Sequence, residues 1–271
     1  MATPAFEAIV LGVLQGITEF LPISSDGHLA IAQKLFGHEA DLFTTVILHA
    51  GTLAATLLVL RKRVGETLRG FFRAARSPAL LRTTPEGHDI LVIVAASIPT
   101  ALIGLTLKHR VEIWSNSLFV IGLCLFLSGV VLLSTKFIEA GSKLSPTLLG
   151  AATIGVLQGS AVLPGLSRSA MTIAGLLWLG IRSDRAFEYS FLLSLPAVGG
   201  ALLLESRKLG GAMSNGPDGA SLVLGVAVSF IVGVGSLLLL KRVLSSGRVS
   251  FFALYLFPVA FAVLAWAYAS P

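Results

Sequence analysis

The chain has 271 residues, 55% of them hydrophobic and 13% charged, with a mean hydropathy of +0.87. So apolar a composition excludes a soluble enzyme, because several stretches are long enough to cross about 30 Å of hydrocarbon. The net charge of +6 does not point to nucleic acid, since Lys and Arg gather in the connections, where they set topology and meet anionic lipid.

The first segment, 5 to 37, is apolar, breaks at EFLPISSDGH (Glu19 to His28), then turns apolar again. Its start lacks a basic region and a small-residue cleavage site, so no removable signal peptide is expected. A spanning helix is predicted over 42 to 60. The loop from 61 to 88 that follows holds Arg61, Lys62, Arg63, Arg69, Arg73, Arg76 and Arg82, and the positive-inside bias makes it cytoplasmic. Further spans are predicted at 89 to 107 and 117 to 138, the latter holding the lone Cys124, which can form no intramolecular disulfide. A second broken segment occupies 147 to 182, and spans at 188 to 204, 220 to 240 and 251 to 269 complete the chain. The expected fold is an all-α polytopic membrane protein, one domain over 1 to 271, with six transmembrane helices plus two re-entrant helical hairpins.

The two broken segments resemble each other. LGVLQG at 11 to 16 returns as IGVLQG at 154 to 159, and Pro22 and Pro164 each stand three residues ahead of a serine, Ser25 and Ser167. Three spans separate the copies, an odd number, so the hairpins enter from opposite faces as an inverted-topology repeat whose breaks meet near the midplane. Gly12 with Gly16, and Gly155 with Gly159, have the small-xxx-small spacing that lets backbones approach. Two ordinary kinked spanning helices are the alternative reading.

Ionisable groups inside an apolar segment are costly, so Glu19, Asp26, His28 and Arg168 at the two breaks mark a site. Gln15 and Glu19 lie four apart on one helical face and suit a common ligand or metal ion. Glu19 and Arg168 could simply neutralise each other, but that leaves the serines unexplained. A Ser near a His is the minimum for an activated nucleophile, and Arg168 flanked by Ser167, Ser169 and Thr172 offers a planar fork and hydroxyls suited to phosphate oxygens. Phosphoryl chemistry is the expectation.

QGITEFLPISSDGH and PGLSRSAMT resemble the two signature segments of the undecaprenyl-diphosphate phosphatases, the bacitracin-resistance family, whose patterns run (E/Q)xxxE and PGxSRSxxT. FEYSFLLSLPA at 187 to 197 and VILHAGTLAA at 46 to 55 are similar to that family as well. The resemblance implies hydrolysis of undecaprenyl diphosphate to the monophosphate on the outer face of the bacterial cytoplasmic membrane, recycling the lipid carrier of peptidoglycan precursors. It implies a divalent cation, Mg2+ or Ca2+, for which Gln15 and Glu19 are the candidate ligands, while Asp26, a departure from the family pattern, is a third candidate that could replace the charge Gln15 lacks. The roles it carries over are Glu19 as acidic machinery, Ser25 as nucleophile, His28 as base and then acid, and Arg168 as clamp on the diphosphate. Ser24, Ser167, Ser169 and Thr172 would supply hydrogen bonds to substrate. Expected partners are undecaprenyl diphosphate, membrane lipid and, in a homodimer, a second copy of the chain.

Gln15 at the variable first position removes one negative charge, and Asp26 stands where the family leads one to expect Thr, a carboxylate beside the nucleophile. His49, inside a predicted span, could touch the pocket, although a lone His in a helix is more often satisfied by a neighbour. Two other function classes stay open at this stage. A polyprenyl-phosphate transporter or flippase would suit the inverted repeat but need no serine nucleophile, and a non-catalytic lipid-binding module would need none of the polar residues.

Overall fold

The computed structural model describes residues 3–139, 141–206 and 219–269, whose regular elements are all helices with no β-strand among them. Six helices are long and apolar enough to cross a membrane: α3 (Leu42–Val59), α6 (Pro85–Trp114), α7 (Leu118–Ser134), α10 (Ser183–Ser206), α11 (Gly219–Ser245) and α12 (Phe252–Ala269). Between α3 and α6 lie the amphipathic α4 (Arg61–Arg76) and the single turn α5 (Leu80–Thr83). Large side chains such as Phe119, Leu254 and Ile231 stay exposed on the spanning helices, as a lipid-facing belt requires.

The two broken segments form helix pairs. The first is α1 (Pro4–Thr18) with α2 (Ser25–Leu35), the second α8 (Leu148–Ser160) with α9 (Arg168–Trp178). Local sequence explains their starts. Thr3 caps α1 ahead of Pro4, and Thr147 caps α8 by accepting from Gly150 N at 3.1 Å. At 15 and 13 residues, α1 and α8 reach only about 20 Å, short of a bilayer core. Both pairs double back. Phe6 at the start of α1 meets Phe36 just past α2, with ring centroids 6.5 Å apart. In the second pair, the chain on either side closes a short bridge in which Lys143 N donates to Gly180 O at 3.1 Å and Arg182 N donates to Lys143 O at 3.0 Å. This geometry is compatible with re-entrant hairpins.

Each hairpin packs against a spanning helix from the other half of the chain. A Cβ on Gly12 would sit 2.5 Å from Gly225 O of α11, and one on Gly155 would sit 2.2 Å from Ala96 O of α6. The corresponding positions of the two hexamers thus make corresponding close backbone contacts, the physical reason for glycine there. The halves interlock, and the two breaks touch at Gly27 and Gly165, where a Cβ on the former would lie 2.8 Å from the Cα of the latter.

Candidate active site

The first break is built so that Glu19 ends α1 and Ser25 begins α2. Ser24, which caps α2, holds φ at 73°, the one positive φ at a non-glycine among the described residues. Such a backbone is costly and persists where the surroundings fix it, typically at a functional turn. The second break turns on Gly165, with φ 94° and a hypothetical Cβ 2.4 Å from Ile121 O, so only glycine fits. Ser128 of α7 pins this turn by donating to Gly165 O at 3.2 Å and accepting from Ser167 N at 2.9 Å. Ser167 then caps α9, accepting from Ala170 N at 3.2 Å. Both α2 and α9 therefore point their N-termini, with the positive end of the helix dipole, at the junction of the breaks.

Glu19 is the hub. One carboxylate oxygen accepts from Arg168 Nη2, which reaches it from the other repeat. The other accepts from Ser25 Oγ at 2.6 Å and from Gln15 Nε2 at 3.3 Å, and lies 3.2 Å from His49 Nε2. The second nitrogen of His49, Nδ1, donates to Thr45 O at 2.8 Å, which aims Nε2 at the carboxylates, with Asp26 Oδ1 3.8 Å away. Asp26 is 41% exposed at its side chain, whereas Glu19 is buried. Arg168 Nη1 is buried with no hydrogen-bond partner, a donor not used by the protein. Ser24, Ser25, Asp26, Ser167, Arg168 and Ser169 all line one cavity of about 520 Å³.

Two expected site residues are placed differently. His28 does not reach Ser25: Nδ1 donates to Ser24 O at 2.7 Å, and Nε2 accepts from Tyr255 of α12 at 2.9 Å, with the two rings stacked. With both ring nitrogens committed, His28 braces the first break against α12 and does not line the cavity. The histidine that faces the acid is His49. Thr172 is also turned away, donating to Arg168 O at 2.9 Å and bonded to Ser190 Oγ at 2.6 Å, so it fixes α9 on α10.

Gln15 is fully buried behind Glu19. Its amide nitrogen faces the carboxylate and Thr52 Oγ1, at 3.3 Å each, and this leaves Oε1 with no partner. Gln158, its counterpart in the second hexamer, repeats the pattern, with Nε2 donating to Thr100 Oγ1 at 3.2 Å and Leu193 O at 3.1 Å and Oε1 unpartnered. Carboxylate and carbonyl oxygens accept only, which fixes which end of each amide faces them.

Beyond the polar junction the cavity continues between α6 and α10, whose facing positions are small: Ala101 and Gly104 on one, Ala197 and Gly200 on the other. The mirror-related gap between α3 and α11 is shut. A Cβ on Gly51 of α3 would lie 2.0 Å from Ser229 Oγ and 2.3 Å from Val226 O.

Fold and site together define a multi-pass membrane protein that carries a buried acid, hydroxyls and a guanidinium where two broken helices from opposite halves meet. A family described as Bacitracin resistance protein BacA matches residues 8–262, and the chain belongs to that family. It is 38% identical to the undecaprenyl-diphosphatase of Desulfatibacillum aliphaticivorans over 269 residues, 95% of this chain and 97% of that relative. Similar relatives of the same description come from Desulfosudis oleivorans, 41% identical over 93% of this chain and 94% of the relative, and Acaryochloris marina, 39% identical over 94% and 95%.

Proposed function

We propose that the protein is an integral-membrane lipid diphosphatase that hydrolyses undecaprenyl diphosphate to undecaprenyl phosphate and inorganic phosphate. The observation that carries the reading is the convergence of Ser25 Oγ and Arg168 Nη2 on the two oxygens of Glu19. A bare ion pair needs no hydroxyl on its carboxylate and no unpartnered guanidinium nitrogen beside it. A carrier for polyprenyl phosphate would use the guanidinium too but needs no hydroxyl bonded to the carboxylate, so Ser25 on Glu19 favours the enzyme.

In the mechanism, the terminal phosphoryl group takes the place beside Arg168 Nη1, Ser167 and Ser169. Ser25 Oγ attacks its phosphorus and passes its proton to Glu19, which already accepts from that hydroxyl. The P–O bond to the bridging oxygen breaks, and undecaprenyl phosphate leaves. Water then splits the phosphoserine, releasing phosphate and returning the proton to Ser25. Catalysis of this kind is mostly positioning and stabilisation of charge on the transferred oxygens, which Arg168 and the two helix N-termini supply. His28 has no part in the proton transfer in this scheme, and His49 holds Glu19 in place.

The carboxylates of Glu19 and Asp26, which both face His49, offer oxygens suited to a hard cation, whereas Gln15 turns its amide nitrogen, not Oε1, to Glu19. Among the described residues no three His, Cys, Asp or Glu side chains gather closely enough to hold a metal alone. Mg2+ or Ca2+ would be held by Glu19 and Asp26, with Gln15 joining only if its amide turned to bring Oε1 toward Glu19, and would supply charge neutralisation there.

The slot between α6 and α10 suits the first isoprene units, with the remainder of the chain in the bilayer. The cavity is walled by the second half of α6 and the first half of α3, the ends away from the basic connection 61 to 88. With that connection cytoplasmic, the hairpins are re-entrant and the site faces the outer side of the cytoplasmic membrane. The test is phosphate release from undecaprenyl diphosphate by purified protein in detergent, with and without EDTA. Release that stops with EDTA and in Ser25→Ala supports the reading, and release unchanged in Ser25→Ala ends it.

A further inference from the structure

The amphipathic helix α4 takes no part in the site, yet its sixteen residues are sorted into three faces. The inner face, Arg63, Thr67, Gly70 and Ala74, recurs at intervals of four, three and four and packs on α6. Gly70 and Ala74 are buried, and a Cβ on Gly70 would lie 2.7 Å from Glu86 Cβ. Arg63 locks this face in place, donating to Asp89 of α6 at 2.5 Å and lying 3.3 Å from Glu188 of α10. Asp89 also accepts from Tyr189, so the anchor is a buried network. The helix cannot roll, and its two outer faces are set by that anchor.

One outer face is apolar and exposed beyond Arg61 at its first position: Leu68 is 52%, Phe71 53% and Phe72 66% accessible, and Phe71 and Phe72 meet edge to face. The other, roughly a third of a turn round the helix, carries Lys62, Arg69, Arg73 and Arg76, all exposed. The one acid on these faces, Glu66, pairs back to Arg63 at 3.5 Å. The adjoining apolar and cationic stripes are those of a helix lying in a membrane interface, with aromatic groups at the acyl boundary and cations among the headgroups. A water-exposed helix would have no use for the first stripe, and a spanning helix could not carry the second.

We infer that α4 is an in-plane binding surface for anionic phospholipid, with Leu68, Phe71 and Phe72 seated at the acyl boundary and Lys62, Arg69, Arg73 and Arg76 gathering phosphate headgroups. The occupant is identified by charge complementarity: four cations in one row recruit anionic over zwitterionic headgroups, each adding to the attraction and each screened by salt. The surface is separate from the diphosphate site and stands or falls independently of it.

The experiment uses the full-length protein with Phe72→Cys labelled by bimane. Cys124 is buried, and the unsubstituted protein carried through the same labelling gives the background. The labelled protein is reconstituted in phosphatidylcholine vesicles in which a fixed share of lipid is brominated phosphatidylglycerol or, in a parallel series, brominated phosphatidylcholine. Quenching by the brominated anionic lipid should exceed that by the zwitterionic one at least twofold. The excess should disappear in K62Q/R69Q/R73Q/R76Q and in high salt, with phosphate release by that variant in detergent unchanged as the check on folding. Equal quenching by the two lipids, or an excess that survives the four substitutions, overturns the proposal. So does a label quenched by neither lipid, which would mean that protein covers the face.

Discussion

The two hairpins share a scaffold and divide the chemistry. Each carries a near-identical hexamer in its first helix, packs its glycines on a helix of the other half and breaks at a proline-led turn capped by serine. The first break carries the acid and the bonded hydroxyl; the second carries the cation and two more hydroxyls. The surroundings differ in the same spirit. The gap beside the first hairpin, α3 against α11, is closed by backbone contact, and its counterpart beside the second, α6 against α10, is open. Here the two copies form one site by diverging, in charge at the junction and in packing beside it.

Removing the chemistry from the first hairpin should have the largest effect. Ser25→Ala should lower the rate of phosphate release by roughly 10⁴-fold or more, the scale on which enzymes lose a nucleophile. Removing it from the second comes next: Arg168→Ala should cost about a thousandfold, or about 4 kcal/mol of transition-state stabilisation, in the same assay. Arg168→Lys should recover little of this, because an ammonium cannot bond Glu19 and a phosphate oxygen through one planar fork. Equal tolerance of Lys and Arg would mean that the second hairpin supplies charge alone.

The packing half of the comparison is tested by one substitution on each side. Gly51→Ala should destabilise by about 3 kcal/mol, since its methyl group meets Ser229 and the Val226 carbonyl, and should lower the thermal unfolding midpoint in detergent by several degrees. Gly200→Ala faces open space and should leave that midpoint within about a degree. The smallest loss of activity is expected where sequence and structure part: His28→Gln and Tyr255→Phe should each lower activity no more than about tenfold, by loosening the first break. A loss in His28→Gln as large as that in Ser25→Ala would return His28 to the proton transfer.

The spans and both breaks were legible because lipid forces long apolar runs and makes a polar interruption conspicuous. For the same reason Glu19, Ser25 and Arg168 could be chosen together although Arg168 lies 149 residues beyond Glu19. The histidine could not be read the same way. His28 follows Ser25 closely in sequence, but the turn at Ser24 and the hydroxyl of Tyr255 capture its ring, and both are tertiary facts. His49 did leave a trace: Thr45, His49, Thr52 and Thr56 make a polar stripe at helical spacing along an apolar span, three of them buried threonines. Thr172 fits the signature pattern yet serves packing, which a motif cannot reveal. Nor could the open and closed gaps be told apart, since Gly51 and Gly200 look alike in a sequence and differ only in what faces them.

Arg168 arrives at Glu19 from 149 residues downstream, so the acid is synthesised long before its cation. Its other partners, Gln15, Ser25 and His49, all belong to the opening stretch of the chain. The nascent first half can therefore be threaded into lipid with its carboxylate already satisfied by nearby groups. The later arrival of the guanidinium completes the assembly without being required for the insertion that precedes it.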